Sequence, residues 1–489
     1  MRDWDLTIAL DRNDGTPLFL AVARAIAAAI RKRRLRPGAR LPGSRTLART
    51  LAVHRNTVLA AYEELAAEGF VSTTPARGTF VTTSLADRHP LGLLPSRERA
   101  DSGPPTKARY ELGTQHTEPD RWVWEYPAGT LALTAFPDLR LLPSGALARA
   151  YRRALRHGGP ALLGYADPRG YPGLRTALAV MLSTTRGLSA TEDQIVVTRG
   201  SQMALALLAH ALGPPDGVIA VEAYGYRAAW EAFRLAGVEL VPLPVDDEGV
   251  QVEALERLVS RRRVRAVYVT PHHQYPTTVT LSAARRRTLL ELASAARLAI
   301  IEDDYDHEFQ YEGHPVLPLA SADRYGTVIY LGSLSKVLAP GLRIGFVVAP
   351  TPVVERLAAH RWAVEVCGDH LLEHALASLF ESSELQRHGR RMRRLYRTRR
   401  DALVAALHHE LGDALAFRVP RGGLGLWCRV ARGIKVEGWA VRARERGVLV
   451  QTGRRFAFDG RPRPYVRLGF TALTPDELAQ AAYRLARAL

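Results

Sequence analysis

The fold of this chain is decided by the stretch Gly332-Ser333-Leu334-Ser335-Lys336-Val337-Leu338-Ala339-Pro340-Gly341-Leu342-Arg343. The chain has 67 lysines and arginines, but its lysines are only Lys32, Lys107, Lys336 and Lys435. Arginine stays protonated in proteins, whereas a lysine amine can lose its proton and attack an aldehyde. Lys336 is therefore the best candidate for a lysine with a chemical role.

The polar residues around Lys336 suit a phosphate group. Ser333 and Ser335 precede the lysine, and Arg343 follows seven residues after it. Serine hydroxyls donate hydrogen bonds and the arginine fork binds phosphate oxygens in pairs. A lysine able to form a Schiff base beside such a group predicts pyridoxal 5'-phosphate as the cofactor. The alternative is a solvated lysine in a surface loop.

Length, charge and cysteine content limit the classes of protein that this chain can be. A chain of 489 residues predicts at least two domains. The net charge of +18 fits a nucleic-acid partner, although a bias towards arginine in the genome would give the same charge. Cys367 and Cys428 form neither a disulfide framework nor a metal-ligand pattern, so no metal site is predicted. No apolar signal or membrane-spanning segment is seen, which favours the cytoplasm.

Residues 1–83 have the pattern of a winged helix-turn-helix domain. Apolar residues at helical spacing predict a first helix from Leu18 to Ile30, a second capped by Ser44, and a third that begins at Arg55. The predicted buried face of the third helix is Val58, Ala61, Tyr62 and Leu65. Two short strands, 70–73 and 79–82, then flank a hairpin tip. The first turn of the third helix can enter a DNA major groove.

The predicted DNA contacts lie at the start of that helix, before the second helix and on the hairpin. They are Arg45, Arg55, Asn56, Thr57, Arg77 and Gly78. Residues 1–88 contain fourteen basic side chains against eight acidic ones, which favours a surface that faces phosphates. The alternative for each single arginine is a solvated surface residue.

A linker and a large α/β domain follow. Residues 84–120 lose hydrophobic periodicity and contain several prolines, which predicts a linker. In residues 121–489, apolar strand-like runs alternate with helical stretches, which is typical of a mostly parallel sheet covered by helices. The predicted strands are 194–197, 218–221, 240–244, 266–270, 298–302, 327–331 and 344–348. Residues after about 380 predict a smaller α+β part.

Polar residues follow several of the predicted strands, where open α/β sheets bind ligands. Ser201 and Gln202 open a helix after the first run, and the positive end of a helix suits a phosphate. Asp303 and Tyr305 follow a later run within Glu302-Asp303-Asp304-Tyr305-Asp306. A carboxylate can keep a pyridine nitrogen protonated, and a phenol can bond the neighbouring ring oxygen. The alternative for Ser201 and Gln202 is a helix cap without a ligand. The alternative for the acidic run is a set of ion pairs on a solvated loop.

Several motifs together resemble a known family. They are Gly38–Ser44 with Arg45, Arg55-Asn56-Thr57-Val58, Gly164–Gly170, Thr270–Thr277, Glu302–Asp306, Gly332–Arg343 and His388–Arg393. The N-terminal motifs resemble the winged helix-turn-helix of GntR-type transcription regulators. The whole chain resembles their MocR subfamily, in which that domain is joined to a fold-type I aminotransferase-like domain.

The resemblance implies roles for individual residues. Lys336 would be the Schiff-base residue, with Asp303 at the pyridine nitrogen and Tyr305 at the O3′ oxygen. The phosphate would lie among Ser201, Gln202, Ser333, Ser335 and Arg343, together with Tyr165 from a second subunit. Tyr226 would stack on the ring, with core packing as its alternative. Arg467 would bind the α-carboxylate of a substrate or effector, with a surface arginine at a strand edge as its alternative.

Departures from the family pattern bear on the activity. Tyr275 replaces an asparagine, Thr278 replaces a glycine, and His54 replaces a small residue. The first two weaken the case for ordinary transamination.

The resemblance therefore implies a cytoplasmic, PLP-dependent regulator that binds a double-stranded DNA operator. It would sense PLP, or an amino acid or amine through an aldimine, and would act as a head-to-tail homodimer. The alternative is an active aminotransferase with an autoregulatory DNA-binding domain.

Overall fold

The structure is a computed structural model that describes residues 17–74, 77–83, 111, 126–213, 217–314 and 316–489. The chain divides into two compact units, residues 1–114 and 115–489. The linker predicted over 84–120 lies outside the described residues, apart from Glu111. Within the described ranges, every helix is too short or too polar to cross a membrane.

Within its described residues, the first unit has three helices and a hairpin, as predicted. Its elements are α1 Leu18–Arg31, α2 Ser44–Leu51, α3 Arg55–Ala67, β1 Val71–Thr74 and β2 Gly78–Val81. The hairpin strands are antiparallel, with Val71 opposite Val81. The predicted face of α3 is buried, and the Tyr62 hydroxyl donates to the Pro42 carbonyl at 2.7 Å. This bond ties α3 to the segment that leads into α2.

The ends of α2 and α3 differ from the sequence prediction. Ser44 was predicted as the cap of α2, and this is wrong, because Ser44 is the first helical residue and follows Gly43. Its hydroxyl instead accepts a hydrogen bond from Arg55 Nε at 3.3 Å. The side chain of His54 caps α3, because its Nδ1 accepts from the Asn56 amide at 3.2 Å. Polar side chains therefore link the two helices on either side of the turn.

The second unit is an α/β domain with an additional antiparallel sheet. Its helices are α4 Ser144–Gly158, α5 Pro172–Arg186, α6 Gly200–Leu212, α7 Arg227–Leu235, α8 Val252–Val259, α9 Ala283–Ala296, α10 Thr351–Glu365, α11 His370–Glu381, α12 Glu384–Leu411, α13 Val436–Glu445 and α14 Pro475–Ala486. Its strands are β3 Leu131–Ala132, β4 Ile195–Thr198, β5 Val218–Glu222, β6 Glu239–Leu243, β7 Val245–Asp246, β8 Gly249–Val250, β9 Val264–Val269, β10 Ala299–Asp304, β11 Val328–Ser333, β12 Gly345–Val348, β13 Leu415–Phe417, β14 Gly425–Val430, β15 Val448–Leu449, β16 Gln451–Thr452 and β17 Tyr465–Gly469.

The seven predicted strands form one sheet in the order β4-β12-β11-β10-β9-β5-β6. Strand β12 runs antiparallel to both of its neighbours, and the other pairings are parallel. The prediction of a mostly parallel sheet is confirmed. Its strands are mostly apolar, as expected for a sheet that is packed on both faces.

A four-stranded antiparallel sheet, β13-β14-β17-β16, forms the predicted smaller part. Its core also takes in a segment from far earlier in the chain. Strand β3 pairs in parallel with β15, and Leu133 packs in the same core as Trp439 and Phe470. This pairing brings residues 131–136 next to the C-terminal part of the chain. A strand of two residues has too little periodicity to be recognised in a sequence.

Thr278 offers a stability test. Its backbone is left-handed, with φ +63°, which costs an L-residue about 1–2 kcal/mol. Replacing Thr278 with glycine should raise the free energy of unfolding of the second unit by about 1 kcal/mol, because glycine adopts this conformation without strain. Urea denaturation measures the change. The control is Thr280→Gly, at an exposed position that is not left-handed, where stability should fall; an equal fall at both positions would contradict the prediction.

Candidate functional site

A cavity of about 350 Å³ lies at the carboxyl ends of the central strands of the second unit. Ten of the predicted site residues line it: Ser201, Gln202, Tyr226, Asp303, Tyr305, Ser333, Ser335, Lys336, Arg343 and Arg467. They come from six separate parts of the chain. The fold therefore brings together most of the residues that the sequence analysis selected one by one.

Lys336 follows β11 and projects into this cavity. Its Nζ donates a hydrogen bond to the Ala135 carbonyl at 3.2 Å and lies 4.9 Å from the centre of the Phe136 ring. Removal from water and the positive charge of Arg467 lower the pKa of the Lys336 amine to about 8. The side chain therefore supplies the neutral, nucleophilic form of its amine more readily than an ordinary lysine does.

Asp303 lies at the end of β10 and is buried. Its Oδ2 accepts a hydrogen bond from the Tyr268 hydroxyl at 2.7 Å, while its Oδ1 has no partner in the part of the chain that the structure describes. Burial raises the pKa of Asp303 to about 7, and the nearby Asp304 and Asp306 add to the rise. The hydroxyl of Tyr305 donates to the His273 carbonyl at 3.1 Å. Among the described residues, Oδ1 of Asp303 therefore has neither a cation nor a hydrogen-bond donor as its partner.

Donors for an anion converge at the start of α6. Gly200 has φ +74°, and a Cβ there would lie 3.0 Å from Arg343 Nη2, so glycine permits the arginine to approach the helix end. Arg343 Nη2 donates to the Arg199 carbonyl at 2.8 Å. Ser201 in the first turn and Ser333 at the end of β11 line the same part of the cavity. Free amide groups, hydroxyls and a guanidinium in one place suit a phosphate.

Arg467 is buried on β17, with 1% of its surface exposed. Its guanidinium lies over the Tyr275 ring at 4.7 Å, and its Nε and Nη2 have no hydrogen-bond partner among the described residues. The alternative of a surface arginine at a strand edge is wrong, because β17 lies between β14 and β16. Gln451 is opposite Arg467 across the β16–β17 pairing. An unpartnered buried guanidinium in a cavity suits a carboxylate.

Two predicted residues lie at or beyond the edge of the cavity. Tyr226 is 36% exposed at the rim and meets Tyr275 edge to face, with ring centres 5.8 Å apart. Tyr165 does not line the cavity, and 89% of its surface is exposed. The loop after β9 is packed: His273 Nδ1 lies 2.8 Å from Asp306 Oδ1, and Gln274 Nε2 donates to the Tyr224 carbonyl at 2.7 Å.

Sequence reasoning missed several residues that line the cavity, among them Phe136, Tyr268, Gln451 and Arg455. Tyr268 lies on β9, two positions before Thr270, and alternation along this strand could have suggested it. Gln451 and Arg455 stand close to Arg467 only because β16 and β17 pair. Phe136 carries no local signal, since only the pairing of β3 with β15 brings it to Lys336.

The predicted DNA-binding residues of the first unit form an exposed set. Arg45, Arg55 and Asn56 are exposed and Thr57 is half-buried at the start of α3. Arg77 is exposed next to Gly78, whose φ is +115°. A Cβ at Gly78 would lie 3.0 Å from Arg40 Nε, so the side chain of Arg40 packs directly against the hairpin at this glycine. The sequence analysis did not select Arg40. The geometry is suited to an acidic partner.

Comparisons with known proteins agree with both units. Residues 18–81 match the family of bacterial regulatory proteins described as the gntR family, and residues 137–485 match aminotransferase class I and II. The probable rhizopine catabolism regulatory protein MocR of Rhizobium meliloti is 31% identical over 480 residues, covering 97% of this chain and 94% of that protein. The chain belongs to the MocR subfamily of GntR-type transcription regulators.

Other proteins similar to this MocR-type chain include a regulator of pyridoxine biosynthesis and an aminotransferase. The pyridoxine biosynthesis transcriptional regulator PdxR of Corynebacterium glutamicum is 32% identical over 422 residues, covering 86% of this chain and 85% of that protein. LysN of Thermus thermophilus, an α-aminoadipate aminotransferase, has a TM-score of 0.68 at 31% identity, covering 74% of this chain and 92% of that chain. GntR-type regulators bind DNA operators, and the large unit of this MocR-type chain has the fold of PLP-dependent aminotransferases.

Proposed function

We propose that this MocR-type regulator binds pyridoxal phosphate in the cavity around Lys336 and that occupancy of the cavity controls binding to its operator. The observation that carries the proposal is a set of buried polar atoms without partners among the described residues. They are Gln202 Oε1, Asp303 Oδ1, Gln451 Oε1, and Nε and Nη2 of Arg467. Each unsatisfied buried polar group costs about 1–3 kcal/mol, and all of these residues line one cavity. A polar ligand would satisfy them together.

The residues present fit this cofactor. Bound PLP supplies an aldehyde that reacts with amines and a pyridine ring that withdraws electrons. Lys336 offers an amine whose lowered pKa favours the neutral form. Asp303 would hold a proton at the ring nitrogen, and Tyr305 would bond the neighbouring ring oxygen. Ser201, Ser333 and Arg343, with Gln202 and Ser335 beside them, would hold the phosphate.

The proposed signal is the cofactor itself or an amino compound that binds with it. Nε and Nη2 of Arg467, which have no hydrogen-bond partner among the described residues, support an effector that carries a carboxylate, such as an amino acid. LysN was solved with N-(5'-phosphopyridoxyl)-L-leucine, and PdxR is a regulator of pyridoxine biosynthesis. The effector would shift the equilibrium between two arrangements of the DNA-binding units in a homodimer. Tyr165, which is exposed and outside the cavity of its own chain, would reach the phosphate of the partner in a head-to-tail dimer.

A second candidate function is aminotransferase turnover. Lys336, Asp303 and Arg467 line one cavity, and these three would suffice for a half-reaction between an amino acid and the cofactor. Keto-acid formation measured across a panel of amino donors separates the two functions. Turnover of about 1–1000 per second would favour the enzyme. Ligand-dependent operator binding without turnover would favour the sensor.

The DNA-binding face is tested by Arg55→Ala. Arg55 is exposed at the start of α3, and losing a contact to a base edge or phosphate should weaken operator binding roughly 5- to 100-fold. Mobility-shift titration with DNA fragments flanking the protein's own gene measures this change, and cofactor absorbance should stay the same. The matched control is Arg24→Ala, which removes an exposed arginine from α1 and should have little effect. Equal loss in both variants would mean that α3 is not the recognition helix.

A further inference from the structure

A second cluster of polar side chains lies near the end of the same sheet, outside the cavity. His272 follows β9, Asp304 ends β10, and His307 lies three residues beyond Asp304. One ligand atom from each residue lies within 4.8 Å of the other two. The three residues are buried, with 3%, 2% and 6% of their surfaces exposed. None of them lines the cavity around Lys336.

The polar atoms of this cluster are poorly satisfied within the described residues. Both ring nitrogens of His272, both of His307 and Oδ1 of Asp304 have no hydrogen-bond partner there. His307 Nδ1 does, however, make an ion-pair contact with Asp304 Oδ2 at 2.9 Å. The same Oδ2 accepts a hydrogen bond from the Tyr330 hydroxyl at 2.7 Å. Leaving the other four atoms unsatisfied in one buried place is costly, so an additional group is expected among them.

The neighbouring charges leave the cluster open to a cation. Arg186 Nη1 is 4.0 Å from Asp304 Oδ2, but this guanidinium is paired with Glu308 at 2.5 Å. His273, whose ring packs edge to face against His272, is held by Asp306. Arg186 and His273 are therefore held by acidic partners of their own, and Asp304 keeps an oxygen for another ligand. Arg286, which interacts electrostatically with Asp304 and His272, donates through Nη2 to the Leu317 carbonyl at 2.5 Å.

We propose that His272, Asp304 and His307 form a binding site for a divalent transition-metal ion, with zinc as the best match. Two imidazole nitrogens and one carboxylate oxygen are a ligand set that zinc prefers, and water can fill its fourth position. The rings of His272 and His307 have centres 4.8 Å apart and planes inclined by 29°, so the two rings are stacked at the site. Zinc–ligand bonds of about 2.0–2.2 Å require the groups to move closer by roughly 1 Å. The ion would join the loop after β9 to the segment after β10 and so stabilise the second unit.

The direct test uses the full-length protein. The chain is stripped of metal with a chelator, equilibrated with zinc, desalted and analysed for metal by mass spectrometry. We expect one zinc ion per chain, a higher melting temperature with zinc, and visible ligand-field bands when cobalt replaces zinc. A wild-type chain that retains no zinc and shows no thermal shift would overturn the proposal and leave water as the occupant.

Variants assign the metal to these residues. His272→Gln and His307→Gln should each lose the bound zinc, whereas His314→Gln, at an exposed histidine, should keep it. One zinc per chain in all three variants would place the metal elsewhere and overturn the assignment. X-ray absorption of the zinc-loaded wild type needs no variant: two imidazoles with oxygen ligands are expected, and sulfur ligands would contradict the site. The proposal does not depend on the cofactor, because all these measurements are made without adding pyridoxal phosphate.

Discussion

Replacing Lys336 with alanine should abolish covalent attachment of pyridoxal phosphate. Lys336 lines the cavity, and burial lowers its pKa to about 8, whereas the other described lysines, Lys32 and Lys435, are exposed. Only a neutral amine attacks the aldehyde, so the lysine with the lowered pKa should react first. The measurement is the cofactor absorption that remains after gel filtration, followed by borohydride reduction and peptide mass spectrometry. In the wild-type chain the reduced label should lie on the peptide that contains Lys336.

The matched control is Lys435→Ala, which removes an exposed lysine at the start of α13. This variant should retain the full cofactor absorption. A reducible adduct in Lys336→Ala would identify another lysine as the carrier. Loss of absorption in both variants would indicate general unfolding, which circular dichroism detects separately.

Replacing Arg467 with glutamine should remove the preference for ligands that carry a carboxylate. A charge-assisted pair with a buried guanidinium contributes about 1.5–3 kcal/mol, so amino acids should bind roughly 10- to 100-fold more weakly. The affinity for amines that have the same side chain but lack the carboxylate should change little. Because the charge of Arg467 lowers the pKa of Lys336, the variant should also raise that pKa. Titration of the cofactor absorbance with paired amino acids and amines measures the preference.

Arg429→Gln is the control for this experiment, since Arg429 is an exposed arginine on the neighbouring strand β14. It should leave the preference unchanged. If Arg467→Gln weakens the binding of amines and amino acids equally, Arg467 maintains the structure of the cavity and does not recognise a carboxylate.

The local sequence was sufficient to predict the helices and strands that have a clear pattern of apolar residues. The stretch around Lys336 predicted a reactive lysine beside serines and an arginine, and the structure places these side chains around one cavity. The apolar runs predicted all seven strands of the large sheet to within a few residues. The buried face of α3 was also read correctly, because helical spacing states which side chains share a face. The caps were predicted less well: Ser44 was predicted to cap α2 but is its first residue, and the side chain of His54, which had no predicted role as a cap, caps α3.

The sequence by itself thus determined the two domain types, the lysine and the strand ends that carry the candidate site. The tertiary structure alone decided which distant segments complete that site. The Lys336 amine contacts the Ala135 carbonyl, 201 residues earlier, and Arg467 comes from the C-terminal sheet. His272 likewise meets Asp304 and His307 only because β9 and β10 are neighbours. Such contacts depend on strand pairing between remote residues, and periodicity and residue spacing, which are local properties of a chain, do not encode that pairing.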